Sequence, residues 1–216
     1  MYRYVIKRFL DILLSLLAIL LLSLPMLIIC LAIKIDDPGP VIFKQKRFGK
    51  GKTFFWLYKF RSMKVNTPDT PTHLLKNPEQ YISRVGGFLR KTSLDELPQL
   101  FNILLGKMSV VGPRPALWNQ DDLIAERDKY GANDLRPGLT GWAQINGRDE
   151  LEIAVKARLD GDYTTVIRKG RFRGVWMDIR CVLGTVFTVL RSDGVVEGGT
   201  GAMEDKEEHK KDAVLK

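Results

Sequence analysis

The chain has 216 residues, enough for one sizeable core with appendages, so length alone demands no division into domains. Its 34 Lys and Arg against 25 Asp and Glu give a net charge of +9, and residues 202–216, with five acidic and four basic side chains, leave +10 on the rest. A body this basic favours an anionic partner, whether phospholipid surface, phosphorylated substrate or nucleic acid, while Cys30 and Cys181, both in apolar runs, exclude a cysteine metal site or disulfide framework.

The first segment narrows the partner. From Ile12 to Ile33 there is no charged residue over 22 positions, enough to cross roughly 30 Å of hydrocarbon as a straight helix. A cleaved signal peptide fits poorly, because the apolar region is too long and no small-x-small cleavage site follows it. Arg3, Lys7 and Arg8 precede the run, and Lys34, Lys44, Lys46 and Arg47 follow it, so the distribution of positive charge does not orient a span. Near the middle, Pro25 removes one helical hydrogen bond, and Ser23 can donate its hydroxyl to a nearby carbonyl. Composition alone leaves a simple span and a re-entrant helix, broken at Ser23 and Pro25, equally open.

IDDPGP, residues 35–40, is a turn signal. The alternation in 41–49 and the β-like, basic-interleaved stretch 52–63 predict two strands of a small sheet or hairpin. Pro68, Pro71 and Pro78, with several threonines between them, predict a surface loop. A helix is expected to begin near Glu79 or Tyr81, and another to carry LPQLFNILLG, 97–106. In KTSLDELPQLFN, 91–102, Ser93 with Glu96 three residues on matches a capping box, yet that places Pro98 at the fifth helical position; an N-cap at Asp95 returns Pro98 to the tolerated first turn. The Pro-rich turn in MSVVGPRPAL, 108–117, has two readings, a loop shaped by Gly112, Pro113 and Pro115 around an exposed Arg114, or a rigid frame presenting that guanidinium to phosphate; LRPGLTGWAQINGRDE, 135–150, likewise reads as turns around a core Trp142 or as a source of Arg136 and Arg148 for an anionic pocket. Neither stretch has Walker or dinucleotide glycine spacing. Asp160-Gly161-Asp162 superficially matches a D-x-D metal motif, and residues 175–191 read as a membrane-facing or core helix in which Asp178 is a cap or surface residue. No helix-turn-helix, zinc module or RNA-binding pattern accompanies the basic charge, which argues against nucleic acid.

Several ordered motifs resemble the bacterial sugar transferase family, specifically its small monotopic polyprenyl-phosphate phosphoglycosyl transferases: KRFLD at 7–11, DDPGPVIFKQKRFG at 36–49, YKFRSM at 58–63, RKTSLDELPQLFNIL at 90–104, VGPRP at 111–115 and RPGLTGWAQINGR at 136–148. The resemblance implies an α+β monotopic protein. Residues 1–35 would form a re-entrant anchor broken at Ser23 and Pro25, residues 36–201 a catalytic domain with amphipathic interfacial helices, and 202–216 a charged tail. It implies placement at the cytoplasmic face of the bacterial inner membrane, with UDP-sugar, polyprenyl phosphate and anionic phospholipids as ligands and downstream glycosyltransferases as protein partners. Asp95 becomes the expected nucleophile and Glu96 the expected Mg²⁺ ligand. Arg90 maps to an acceptor-phosphate contact, Arg148 to the nucleotide diphosphate, and Arg114 and Lys59 to the same electropositive pocket. The implied reaction transfers a phosphosugar, releases UMP and initiates surface-glycan assembly. A noncatalytic scaffold for glycan enzymes is the alternative, needing the anchor but no reactive Asp95. Asp162 departs from the D-x-Y-Y pattern of the group, in which a Tyr stands at its position, so contacts there do not carry over.

Overall fold

A computed structural model describes residues 5–68, 75, 77–147 and 151–190. Among the described residues the architecture is mostly helical, with strands confined to two small two-stranded sheets. Helix α1, Lys7–Asp36, runs through Pro25 as a single helix, and the Ser23 hydroxyl donates to the Leu20 carbonyl at 2.8 Å. The expected point of interruption therefore lies inside one continuous helix.

Helix α1 has two faces because its inward positions repeat at the helical period. Ala18, Ile19 and Leu22 pack on a core of Phe55, Leu57, Leu100, Ile103 and Met108, and Met26, Ile29, Cys30 and Ile33 join Phe60 and Leu89. Leu17, Leu20, Leu24, Leu27 and Leu31, on the other side, are exposed. Both ends are tied to the same folded body. At one end, Lys7 Nζ donates to Asp178 at 2.7 Å, the Arg8 guanidinium to the Ile103 and Leu104 carbonyls, and Asp11 accepts from Ser109 and Val110. At the other, Asp36 accepts from the Val85 amide at 2.9 Å, and Asp37 pairs with Arg61.

Strands β1, Ile42–Phe48, and β2, Phe54–Phe60, form the expected hairpin, in a register that pairs Phe43 with Lys59. Phe55, Leu57 and Lys59 alternate inward while Phe54 and Trp56 point out, as a period of two requires. The other edge of β2 is held by Asn102, which accepts from the Tyr58 amide and donates to the Trp56 carbonyl. Helix α2, Arg84–Thr92, starts later than Glu79 or Tyr81, because Pro78–Tyr81 form only a 3₁₀ turn and Ser83 supplies the N-cap, accepting from the Gly86 amide. An alanine at Gly86 would place its Cβ 1.9 Å from the Ser62 carbonyl oxygen, so a side-chain-free surface lets α2 press against the end of β2.

Helix α3, Gln99–Leu104, leads into β3, Ser109–Val111, which pairs in parallel with β4, Gly138–Thr140. Helices α4, Asp121–Asp128, and α5, Trp142–Ile145, flank the long pair α6, Ile153–Lys169, and α7, Arg171–Leu190. Cys181 sits in the core with Val111, Leu135, Tyr163, Ile167 and Met177, and burial pushes its thiol up to about 12. Asp178 faces inward as well, accepting from the Tyr163 hydroxyl at 2.7 Å and from Lys7. The opposite side of α7 shows Phe172, Trp176, Ile179, Leu183 and Phe187, an exposed apolar stripe at helical spacing. The charged tail lies outside the described residues.

Candidate active site

Asp95 and Glu96 sit in a single 3₁₀ turn, Leu94–Glu96, between α2 and α3. Neither capping scheme expected from sequence is adopted. Ser93 ends α2 in the left-handed conformation, φ 56°, with no side-chain cap bond to the following turn, and Pro98 is itself the residue preceding α3. The chain thus pivots at Ser93, and Pro98 blocks no helical bond because it stands before the first turn. The pivot matters because it aims the two adjacent carboxylates at β2. Asp95 is buried and Glu96 is one-fifth exposed at its side chain.

Lys59, projecting inward from β2, lies between them. Its ammonium is 3.5 Å from Asp95 Oδ2 and 3.2 Å from Glu96 Oε1, and its side chain is only 9% exposed. Arg114 Nη1 lies 3.8 Å from the same Glu96 oxygen. Two carboxylates and two cations therefore share one partly desolvated site, where their fields are stronger than in water. Arg90, on α2, donates through Nε to the Ser62 hydroxyl at 2.8 Å and so is anchored to the end of β2, the strand that carries Lys59. Arg148 lies outside the described residues.

The loop bearing Arg114 has no regular secondary structure, yet each carbonyl from Pro113 to Ala116 has a donor. Gly138 N bonds to Pro113 O, Arg127 Nη1 to Arg114 O, Arg47 Nη1 to Pro115 O and Phe48 N to Ala116 O. This complete satisfaction fixes a loop whose prolines already restrict it. Glycine is required where the loop meets β4: a Cβ on Gly138 would lie 2.1 Å from Gly112 N, and one on Gly141 2.1 Å from Gly112 O.

The Asp160-Gly161-Asp162 stretch is not a metal motif in three dimensions. Asp160 is buried against Arg127, Nε donating to Oδ2 at 2.8 Å, and Gly161 packs under Tyr130, while Asp162 is exposed on α6. Burial raises the Asp160 carboxyl above its ordinary value, and Arg127 offsets only part of that rise. Arg127 and Asn102 are contributors that sequence reasoning missed; a lone Asn inside the apolar run LFNIL was the available signal for Asn102.

Among the described residues, no group of three or more His, Cys, Asp and Glu side chains converges. The donors present nevertheless suit Mg²⁺, which takes hard oxygen ligands and is commonly held by one or two carboxylates with substrate phosphates supplying the rest.

Comparison with known proteins identifies the family. The bacterial sugar transferase family matches residues 2–192. The chain belongs to that family. It is 41% identical over 194 residues to UDP-glucose:undecaprenyl-phosphate glucose-1-phosphate transferase of Escherichia coli K12, covering 84% of this chain and 39% of that protein. It is also 41% identical to the exopolysaccharide production protein PSS of Rhizobium leguminosarum, covering 86% of this chain and 96% of the relative. A UDP-N-acetylgalactosamine-undecaprenyl-phosphate N-acetylgalactosaminephosphotransferase of Aeromonas hydrophila is 36% identical, with 88% of this chain and 44% of the relative covered. The chain thus spans about two-fifths of the longer relatives and nearly all of the Rhizobium protein.

Proposed function

We propose that this family member transfers a phosphosugar from a UDP-sugar to undecaprenyl phosphate, releasing UMP, with Asp95 as the nucleophile. The observation that carries the reading is the placement of Asp95 and Glu96 against Lys59 and Arg114 in one partly desolvated site. An Asp95 carboxylate oxygen attacks the sugar-bearing phosphorus, the phosphorus–oxygen bond to UMP breaks, and an aspartyl phosphosugar remains. A phosphate oxygen of the lipid then attacks the same phosphorus, and the bond to Asp95 breaks to leave the polyprenyl-diphosphate sugar and a free carboxylate. The difficulty is charge, since an anion approaches an anionic diphosphate. Lys59 and Arg114 offset that repulsion along the approach, and Arg90 and Arg148 are assigned to acceptor phosphate and nucleotide diphosphate by family resemblance. Glu96, the more exposed carboxylate, would hold Mg²⁺, whose bound form stabilises negative charge on the transferring phosphoryl group.

The same reading places the enzyme on one face of the bacterial inner membrane, its domain on the cytoplasmic side. A 30-residue helix is about 45 Å long, so a helix spanning the bilayer would separate Lys7 and Asp36 by the whole hydrocarbon layer. Yet Lys7 bonds to Asp178 and Asp36 to Val85 of one domain. That supports an anchor whose two ends stay on the same membrane surface, with the leucine face of α1 and the apolar stripe of α7 toward lipid and basic flanks such as Lys34 at anionic headgroups. Residues 1–35 then serve as anchor, 36–201 as catalytic domain and 202–216 as tail, and the lipid product is left where downstream glycosyltransferases can extend it. The sugars named by the relatives differ, so the donor is assigned only as a UDP-sugar.

Incubation of the enzyme in nanodiscs with undecaprenyl phosphate, Mg²⁺ and candidate UDP-sugars tests the reaction class. UMP appearing in step with lipid-diphosphate sugar is the expected result. Release of UDP during verified turnover would mean ordinary glycosyl transfer, and no turnover with any donor accepted by the relatives would favour the noncatalytic scaffold.

A further inference from the structure

Arg127 and Asp160 form a buried ion pair away from the carboxylates, 3% and 1% exposed, where the helices α4 and α6 pack. Arg127 Nε donates to Asp160 Oδ2 at 2.8 Å, and Nη2 lies 2.6 Å from the same oxygen. Its remaining terminal nitrogen, Nη1, donates at 3.0 Å to the backbone carbonyl of Arg114. One planar guanidinium thus links a helix-borne carboxylate to the loop that presents Arg114 to Glu96.

The pair is poorly suited to serving stability alone. Burying two charges costs desolvation that their attraction often fails to recover, and an apolar pair of similar volume is commonly as stable. Asp160 Oδ1 adds to that cost, being buried with no hydrogen-bond partner among the described residues. What the pair supplies is direction. A rigid fork whose Nε and Nη2 face one carboxylate has its third nitrogen aimed in a fixed direction, whereas a lysine cannot hold that carboxylate and reach the carbonyl with the same geometry.

We propose that Asp160 and Arg127 are positioning residues for the phosphate-contacting loop: Asp160 orients Arg127, and Arg127 fixes the Arg114 carbonyl so that the Arg114 guanidinium stays in register with Glu96. The proposal rests on the reading of Arg114 as a phosphate contact. It also gives the D-G-D stretch a role two steps removed from substrate, with no metal involved. Arg47, which holds the adjacent Pro115 carbonyl, prevents the loop from detaching when Arg127 is changed, so the expected consequence is misalignment rather than unfolding.

A double-mutant cycle tests this, using the full chain in nanodiscs and following kcat/KM for the UDP-sugar together with the melting temperature. Arg127→Lys keeps a charge near Asp160 but loses the fork; it should lower kcat/KM on the order of tenfold in the native background and less than twofold when Arg114 is already Ala. The apolar pair Arg127→Met with Asp160→Leu should melt close to the native protein and show the same kinetic loss. Equal losses in both backgrounds would overturn the proposal, because the pair would then be supporting the fold in general. If Arg114→Ala itself leaves kcat/KM unchanged, the reading of Arg114 fails and the positioning role fails with it. Should Arg127→Lys not accumulate, Asp160→Asn passes through the same cycle with the same expectation.

Discussion

Replacing Lys59 by Met takes the shared cation away from two adjacent carboxylates, leaving Arg114 at 3.8 Å from Glu96, while keeping most of the buried stem. Each lysine–carboxylate contact, at 3.5 Å to Asp95 and 3.2 Å to Glu96, corresponds to about 5 kcal/mol of Coulomb attraction at an effective dielectric near 20. The net loss is smaller, because removing the ammonium also recovers its desolvation cost. Breaking a buried pair from one side costs about 3–5 kcal/mol, and the partial exposure of Glu96 moderates this to roughly 2–4 kcal/mol. For a chain of this size that lowers the melting temperature by about 5–15 °C. A second consequence separates electrostatics from lost packing: Mg²⁺ bound by the two carboxylates should restore part of the loss, following mass action. Thermal melts in nanodiscs, with Mg²⁺ titrated from zero, measure both. A variant that melts within about 1 °C of the native protein would refute the reasoning, and a large loss indifferent to Mg²⁺ would show that the carboxylates are not its cause.

Gly86→Ala forces a Cβ to 1.9 Å from the Ser62 carbonyl; α2 must move, which costs about 1–3 kcal/mol in a denaturant melt and disturbs the Arg90–Ser62 bond. Asp128 has its carboxyl held below the ordinary value near 3.8, chiefly by the Asn133 side chain and then by Lys52. A depressed carboxyl contributes stability that is complete above its unfolded pKa and lost as pH falls through the folded one, so the gap between native and Asp128→Asn melting temperatures should close below about pH 4. For topology, single cysteines at Tyr2 and Lys34 in a background lacking Cys30 should label from the same, cytoplasmic side in intact cells and inside-out vesicles. Cys181 will not interfere there, being buried with its thiol raised to about 12. Labelling from opposite sides would establish a span.

The parts legible in the sequence are those whose physics is local. Residues 12–33 announce a membrane-associated helix through the absence of charge, and the alternation in 41–49 with the β-like stretch 52–63 announces the hairpin. Family motifs pointed to Asp95, Glu96, Lys59 and Arg114, which the fold brings together. Their backbone was not legible, because Ser93 ends α2 in the left-handed conformation, which neither cap pattern in the sequence encodes. Three helices escaped for different reasons, α5 because it is only four residues long. α4 is short and acidic with little apolar periodicity, and α6 carries Gly161 mid-helix, a residue that reads as a breaker but leaves room for the Tyr130 ring. The β3–β4 ladder joins three-residue strands distant in sequence, which no window along the chain can pair. Arg127 resembles an ordinary surface charge until α6 delivers Asp160 to it.

The central claim is that Asp95 carries the phosphosugar between donor and lipid. With a cognate UDP-sugar and Mg²⁺ but no lipid acceptor, rapid quenching and peptide mass spectrometry should find one phosphosugar adduct, on Asp95, with UMP released in equal amount. Undecaprenyl phosphate should discharge that adduct into the lipid product, and Asp95→Asn, lacking the attacking carboxylate, should form none at any Mg²⁺ concentration. An adduct on another residue, or one that persists while the same preparation turns over rapidly, would contradict the account.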